Sequence, residues 1–202
     1  MMRASTSLLC SLLMVTIVVL LLGCDGEPDK YDFGLSVAGG PASWPVKVQK
    51  ITFDNSWRAP GGIFGRGFND SPPAGAMVVL SPKPIPSSME ARWFSYRTQT
   101  FHHVDLKLPE DFQDRVEGWY EEYTDPKYRH YLIVGFSGKG DALVWWRARC
   151  MDCGYDRSQD FSTPIVENVK AMDVEGDPGR YRSQTEQFID EGLFPAPPGF
   201  ED

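Results

Sequence analysis

The chain is poor in the residues from which most metal and enzyme sites are built. It holds only three histidines in 202 residues, His102, His103 and His130. His102 and His103 are neighbours in an extended run and so point to opposite faces, and a zinc site needs further ligands at fitting spacing. No metal and no cofactor is expected. Positive charge is also short: 20 Lys and Arg stand against 28 Asp and Glu, a formal net charge of −8. Nucleic acids and anionic head groups are bound by basic patches, which leaves proteins and small molecules as the expected partners. No apolar run reaches the roughly 20 residues of a spanning helix; the run from Leu8 to Leu22 has 15. No internal repeat is present.

That run is nevertheless informative. Arg3 precedes it, Ser11 and Thr16 are its polar interruptions, and it ends Leu21-Leu22-Gly23-Cys24. This is the layout of a secretory signal closing on a cysteine. The segment resembles bacterial lipoprotein signals, in which an aliphatic residue, a small or aliphatic residue, and Gly or Ala precede the cysteine. The resemblance implies cleavage after Gly23, diacylation of the Cys24 sulfur and acylation of its new amine; two chains already anchor stably. The expected organisation is a signal over 1–23, a polar tether over 24–30 and one globular domain over 31–202. Losing Arg3 takes the charge from −8 to −9, and the 179 remaining residues (202 less 23) form one domain by length. Of the four cysteines, Cys10 leaves with the signal and Cys24 is used for lipid. Cys150 and Cys153 are left as a pair in an oxidising compartment, where a disulfide is expected.

The domain reads as α+β and mostly antiparallel β, a sandwich or curved sheet. Gly 19 and Pro 16 call for many turns. Alternation marks strands at Tyr31–Val37, Trp44–Phe53, Met77–Leu80, Met89–Thr98, Phe101–Leu108, Tyr131–Phe136, Ala142–Arg149 and Ile165–Val174. In Trp44–Phe53 the apolar phase slips after Val48, so a bulge is expected near Gln49-Lys50. Gln99-Thr100 is the expected hairpin turn. Phe112, Val116, Trp119, Tyr120 and Tyr123 form one stripe on a helix near 109–123. A short C-terminal helix is expected at 183–191, with Ser183 and Glu186 as a capping box and Gly192 as its stop.

Motifs with catalytic associations each meet a plainer reading. Cys150-Met151-Asp152-Cys153 has redox spacing, but no helical stripe follows to lower a thiol pKa, so it reads as a loop staple. Gly135-Phe136-Ser137-Gly138-Lys139 lacks the last glycine of a nucleophile elbow and is followed by a strand rather than a helix. It reads as a hairpin turn. Glu117, Glu121 and Glu122 could form a glycosidase pair, and read as a solvated helix face. Trp93, Trp119, Trp145 and Trp146 could stack on sugar, and alternation sends most of them to the core.

Ala91-Arg92-Trp93-Phe94-Ser95, Leu106-Lys107-Leu108-Pro109, the run Tyr131 to Gly140 with Val144-Trp145-Trp146, and Gln187 to Gly192 together resemble the DUF2931 lipoproteins of Gram-negative bacteria. The resemblance covers most of Trp44 to Phe200. It implies a periplasmic, membrane-anchored protein associated with type VI secretion clusters, where such lipoproteins serve as immunity proteins against phospholipase effectors. It supplies no catalytic residues. The expected function is therefore protein binding without catalysis, with a secreted lipase as partner and the membrane held through Cys24; a housekeeping envelope lipoprotein is the alternative. Function is commonly carried on loops, and aromatics and Arg anchor interfaces. The candidate contact residues are Phe64 and Phe68 in the irregular segment 59–75, and Tyr155, Asp156 and Arg157 in 152–161.

The anchor is directly testable. Cys24→Ala is expected to release the domain or leave uncleaved precursor; unchanged size and unchanged detergent partitioning of the variant would contradict it.

Overall fold

Strict apolar alternation in eight or more residues forces a strand to bury one face, and two sets of such strands bury theirs against each other. The computed structural model of the chain describes residues 29–154 and 156–200. Residues 1–28, with Cys24, and Tyr155 lie outside the described residues. In order the elements are β1 (Phe33–Gly40), β2 (Val46–Phe53), β3 (Trp57–Ala59), β4 (Gly62–Phe64), β5 (Ala76–Val78), β6 (Ser88–Ser95), β7 (Thr100–Lys107), α1 (Phe112–Glu122), β8 (Tyr128–Ser137), β9 (Asp141–Cys150), β10 (Phe161–Lys170), β11 (Met172–Val174), a 3-10 turn (Pro178–Tyr181) and α2 (Arg182–Asp190). One sheet has five strands in the order β10-β9-β8-β1-β5, the other six, β11-β7-β6-β2-β3, with β4 also on β2. The fold is α+β and mostly antiparallel; β1 with β8 is a parallel pair.

The core lies between the sheets. Leu35, Val37, Leu132, Val134, Phe136, Val144 and Trp146 come from the five-stranded sheet; Val46, Val48, Ile51, Phe53, Met89, Ala91 and Trp93 face them from the other. The bulge falls where the phase slip placed it, between Val48 and Lys50. Its extra residue returns Ile51 and Phe53 to the face of Val46 and Val48, and all four are fully buried. Two fully buried tryptophans satisfy their N–H groups inside the core. Trp93 Nε1 donates to the Ser137 carbonyl across the sheets at 2.9 Å, and Trp146 Nε1 donates to His130 Nδ1 at 3.3 Å. Helix α1 closes one side: Phe112 and Val116 enter the core, and Trp119 and Tyr120 pack around Trp146.

Four expectations need correction. The stretch 165–174 is not one strand: β10 lies on the edge of the five-stranded sheet, and after Ala171 the chain crosses to pair β11 with β7. Residues 77–80 are not buried, because β5 is the edge strand beside β1, and Met77 is 55% and Val79 88% exposed. The β6–β7 turn is longer than two residues: Ser95 pairs with Thr100, and Gln99 takes a positive φ of 55°. No capping box forms, because the 3-10 turn runs straight into α2 and puts Ser183 inside the helix; Asp177 caps that turn by accepting from Gly179 N–H at 2.9 Å.

The outer faces of the two sheets are treated differently. Phe94, Tyr96 and Phe101 on the six-stranded sheet are covered by Tyr181, Phe188, Ile189, Leu193 and Phe194 of the C-terminal segment. The outer face of the five-stranded sheet is covered only in part, by the loop after β4. Gly39 N–H donates to Arg66 O at 3.0 Å and Phe68 N–H to Gly39 O at 3.2 Å, which folds that loop back over β1. Gly67, at φ +89°, makes the turn, where a Cβ would overlap the Ala74 carbonyl.

Trp93→Ala removes one of the two largest fully buried rings and orphans the Ser137 carbonyl. It is expected to lower stability by about 3–5 kcal/mol, read as a shift in the urea midpoint with unchanged slope.

Candidate partner-binding face

The residues that leave the outer face of the five-stranded sheet follow from its register. Gly34, Ser36 and Ala38 of β1 lie beside Tyr131, Ile133 and Gly135 of β8. Across β8, Arg129 pairs with Arg149, Tyr131 with Arg147 and Ile133 with Trp145. Directly paired residues share a face, so three arginines and a tyrosine stand together over a floor of small and apolar side chains. A shallow cavity of about 80 Å³ opens there between Arg147, Arg149, Tyr131, Pro73, Gly75 and Met77.

The two segments expected to carry contacts border this face from opposite sides. Pro73 to Gly75, from the loop after β4, line the cavity. The loop after β9 is tied down by Asp160, whose carboxylate accepts from Cys150 N–H at 2.9 Å and from Arg147 Nη2 at 2.5 Å, with Arg157 at 3.9 Å. Cys150 and Cys153 are joined by a disulfide, with Cα atoms 5.6 Å apart. Arg147 therefore connects one loop to the other.

The individual candidates fare differently. Arg157 and Asp156 are exposed at the edge of this face. Ser158 donates its backbone N–H to Asp156 at 2.8 Å and holds that carboxyl below its ordinary range. Phe68 is only 6% exposed, because its ring lies on Gly135, where an added Cβ would sit 3.1 Å from it. It pins the loop and is not a free anchor. Phe64 is half-buried in β4, packs against the core and lines a separate groove of about 570 Å³ with Ile63 and Arg66. It does not join the arginine face.

Sequence reading passed over Arg129, Tyr131 and Arg149. The available signal was Arg147-x-Arg149 at period two on a strand of an acidic protein, opposite a strand entered through Arg129.

Ser137, Glu117, Trp93 and Trp146 are engaged in structural contacts, while Glu121 and Glu122 are exposed. Ser137 is buried; its Oγ donates to Asp141 Oδ2 at 2.8 Å and accepts from the Lys139 and Asp141 N–H groups, which closes the β8–β9 turn. Glu117 accepts from the Tyr31 hydroxyl at 2.8 Å and from Gln113. Trp93 and Trp146 are core, while Trp145 is half-buried on the outer face. Among the described residues no cluster of His, Cys, Asp and Glu could hold a metal ion, and no helix is long and apolar enough to cross a membrane. A larger cavity of about 450 Å³ lies at the end where the chain enters β1, lined by Tyr120, Tyr123, Tyr128, Arg129, Tyr131 and Val79 among others.

Two buried histidines link the fold to pH. His130 stacks on Tyr120 at 3.9 Å and accepts from Trp146, and His102 Nδ1 bonds Asp173 at 2.8 Å. Burial pushes both rings below the ordinary value of 6.5; for His102 the Asp173 carboxylate opposes this without reversing it. The unfolded chain therefore binds protons first, and stability is lost as pH falls below about 6.5. Urea midpoints are expected to drop between pH 7.5 and 5.5, and His130→Gln to flatten that slope even as it lowers the absolute stability. In a separate experiment, Asp160→Ala leaves the half-buried Arg147 uncompensated and frees the loop. A loss of about 2–4 kcal/mol is expected, with faster amide exchange over 150–160.

Comparison with known proteins gives one result. A family model described as "Protein of unknown function (DUF2931)" matches residues 26–196. No curated protein and no solved structure matches the chain. The match takes in both sheets, α1 and α2, and with it the whole arginine face: the chain belongs to the DUF2931 family.

Proposed function

We propose that the chain is a periplasmic lipoprotein, anchored through lipid on Cys24, that works by binding a protein and neutralises a secreted phospholipase effector of a type VI secretion system. The anchor rests on Leu21-Leu22-Gly23-Cys24. The binding role rests on one observation: of the two outer sheet faces, one is sealed by the C-terminal segment, and the other carries three arginines between two loops. An exposed Arg129, half-buried Arg147 and Arg149, an exposed Met77 and a half-buried Trp145 make a surface that can desolvate against a partner. A basic face on a protein of net charge −8 selects a partner with an acidic patch and speeds its approach.

A second reading, a housekeeping envelope lipoprotein that binds a small molecule or wall component, is favoured by the tyrosine-lined cavity of about 450 Å³. Its size is that of ordinary ligand sites.

The test is protection. The exported protein should shield a sensitive strain from the phospholipase encoded beside it and bind that enzyme in solution. Arg157→Glu with Met77→Asp, both on exposed side chains, should weaken binding at least tenfold without lowering the melting temperature. Full protection by that variant moves the contact elsewhere; failure of the wild-type protein to bind the enzyme leaves the housekeeping reading.

A further inference from the structure

Arg129 and Arg149 are cross-strand partners in the β8–β9 ladder. Like charges placed directly opposite each other on a sheet are unfavourable, and folded proteins ordinarily set a carboxylate between them. Here, among the described residues, neither arginine has a carboxylate within ion-pair distance, although neighbouring Arg147 has Asp160. Nor does either make any hydrogen bond to another described side chain or carbonyl. Arg149 is half-buried, and its Nε is shut off from solvent without an acceptor. The desolvation cost of that guanidinium is left without compensation inside the chain. Tyr131 stands on the same face and borders both the cavity that Arg129 lines and the one that Arg149 lines.

We infer that Arg129 and Arg149, with Tyr131, form a binding site for a phosphate group. Guanidinium forks match the oxygens of phosphate in bidentate fashion. Two guanidinium groups with no carboxylate in ion-pair contact among the described residues, although Asp32 and Asp125 line the cavity beside Arg129, match a phosphate monoester, which carries about −1.5 to −2 at neutral pH, better than a single carboxylate. The site lies at the end of the sheet where the chain enters β1, since Phe33 pairs with His130. That end follows the tether, so a membrane-borne phosphate and a free one are both within its chemistry. The site does not depend on the immunity reading, because no partner protein is needed to fill it.

The experiment uses the protein purified from the envelope in an uncharged detergent. Inorganic phosphate is titrated at constant ionic strength against chloride while the melting temperature is followed. A rise of roughly 3–5 °C is expected at ten times the dissociation constant, with no rise in chloride. Arg129→Gln and Arg149→Gln should each abolish it, and Arg149→Lys should retain part of it. Without phosphate, both Gln variants should melt no lower than wild type, since each removes one of two repelling charges. Phosphatidic acid added to the detergent micelles, against phosphatidylcholine, then separates the sources: an arginine-dependent rise in melting temperature with phosphatidic acid assigns a lipid head group, and its absence, with the inorganic phosphate shift intact, assigns a free phosphate compound. No rise with phosphate, a rise that chloride reproduces, or one that survives in both Gln variants overturns the site.

Discussion

The hydrogen bond from Trp93 to the Ser137 carbonyl, buried between the two sheets, is the contact on which the arrangement depends. It ties the middle of the six-stranded sheet to the end of β8. There the Ser137 side chain closes the turn into β9 through Asp141. The register of β8 against β9 follows from that turn, and the register decides that Arg129, Arg147, Arg149 and Tyr131 leave the outer face together. A slip of one residue would send the arginines into the core and Val144 and Trp146 into solvent. Core packing and the composition of the outer face are thus one constraint.

The unequal treatment of the two outer faces follows from chain economy. A sandwich needs only its inner faces apolar, yet Phe94, Tyr96 and Phe101 make the outside of the six-stranded sheet apolar too, and the last part of the chain is used to cover it. On the other sheet the outward residues of β1 are small, which lets the loop after β4 lie close and leaves Tyr131 room over Gly34. The loop leaves Arg129 exposed and Arg147 and Arg149 half-buried. The overall acidity, which argued from the sequence against anionic ligands, is a sum over the chain and does not describe this face, where three arginines converge on two adjacent strands.

Much of the fold was legible in the sequence because its period-two patterns are long. The slip in 46–53 announced the bulge, the stripe from Phe112 to Tyr120 announced α1, and Gly192, at φ +71°, ended α2 as expected. What could not be read depends on tertiary pairing. The chain's crossing between sheets at Ala171, the edge position of β5 and the parallel pairing of β1 with β8 leave no mark within a local window. The candidate site suffered most from this. Phe68 looked like an exposed aromatic among glycines, but those glycines let its loop close over Gly135, so the ring is buried. The pairing of Arg129 with Arg149 is set by the register alone and leaves no mark in either strand's own sequence.

The proposed partner meets the part of the five-stranded sheet's outer face that the loop after β4 leaves open, around Arg129, Tyr131, Arg147 and Arg149. Hydrogen–deuterium exchange on the protein, free and mixed with the phospholipase proposed as its partner, tests this most directly. The account predicts added protection at 73–77, 129–131, 147–149 and 156–160, with the C-terminal helix 182–190 unchanged. Protection concentrated on 182–194, or on α1, with the arginine strands unaffected, would contradict it.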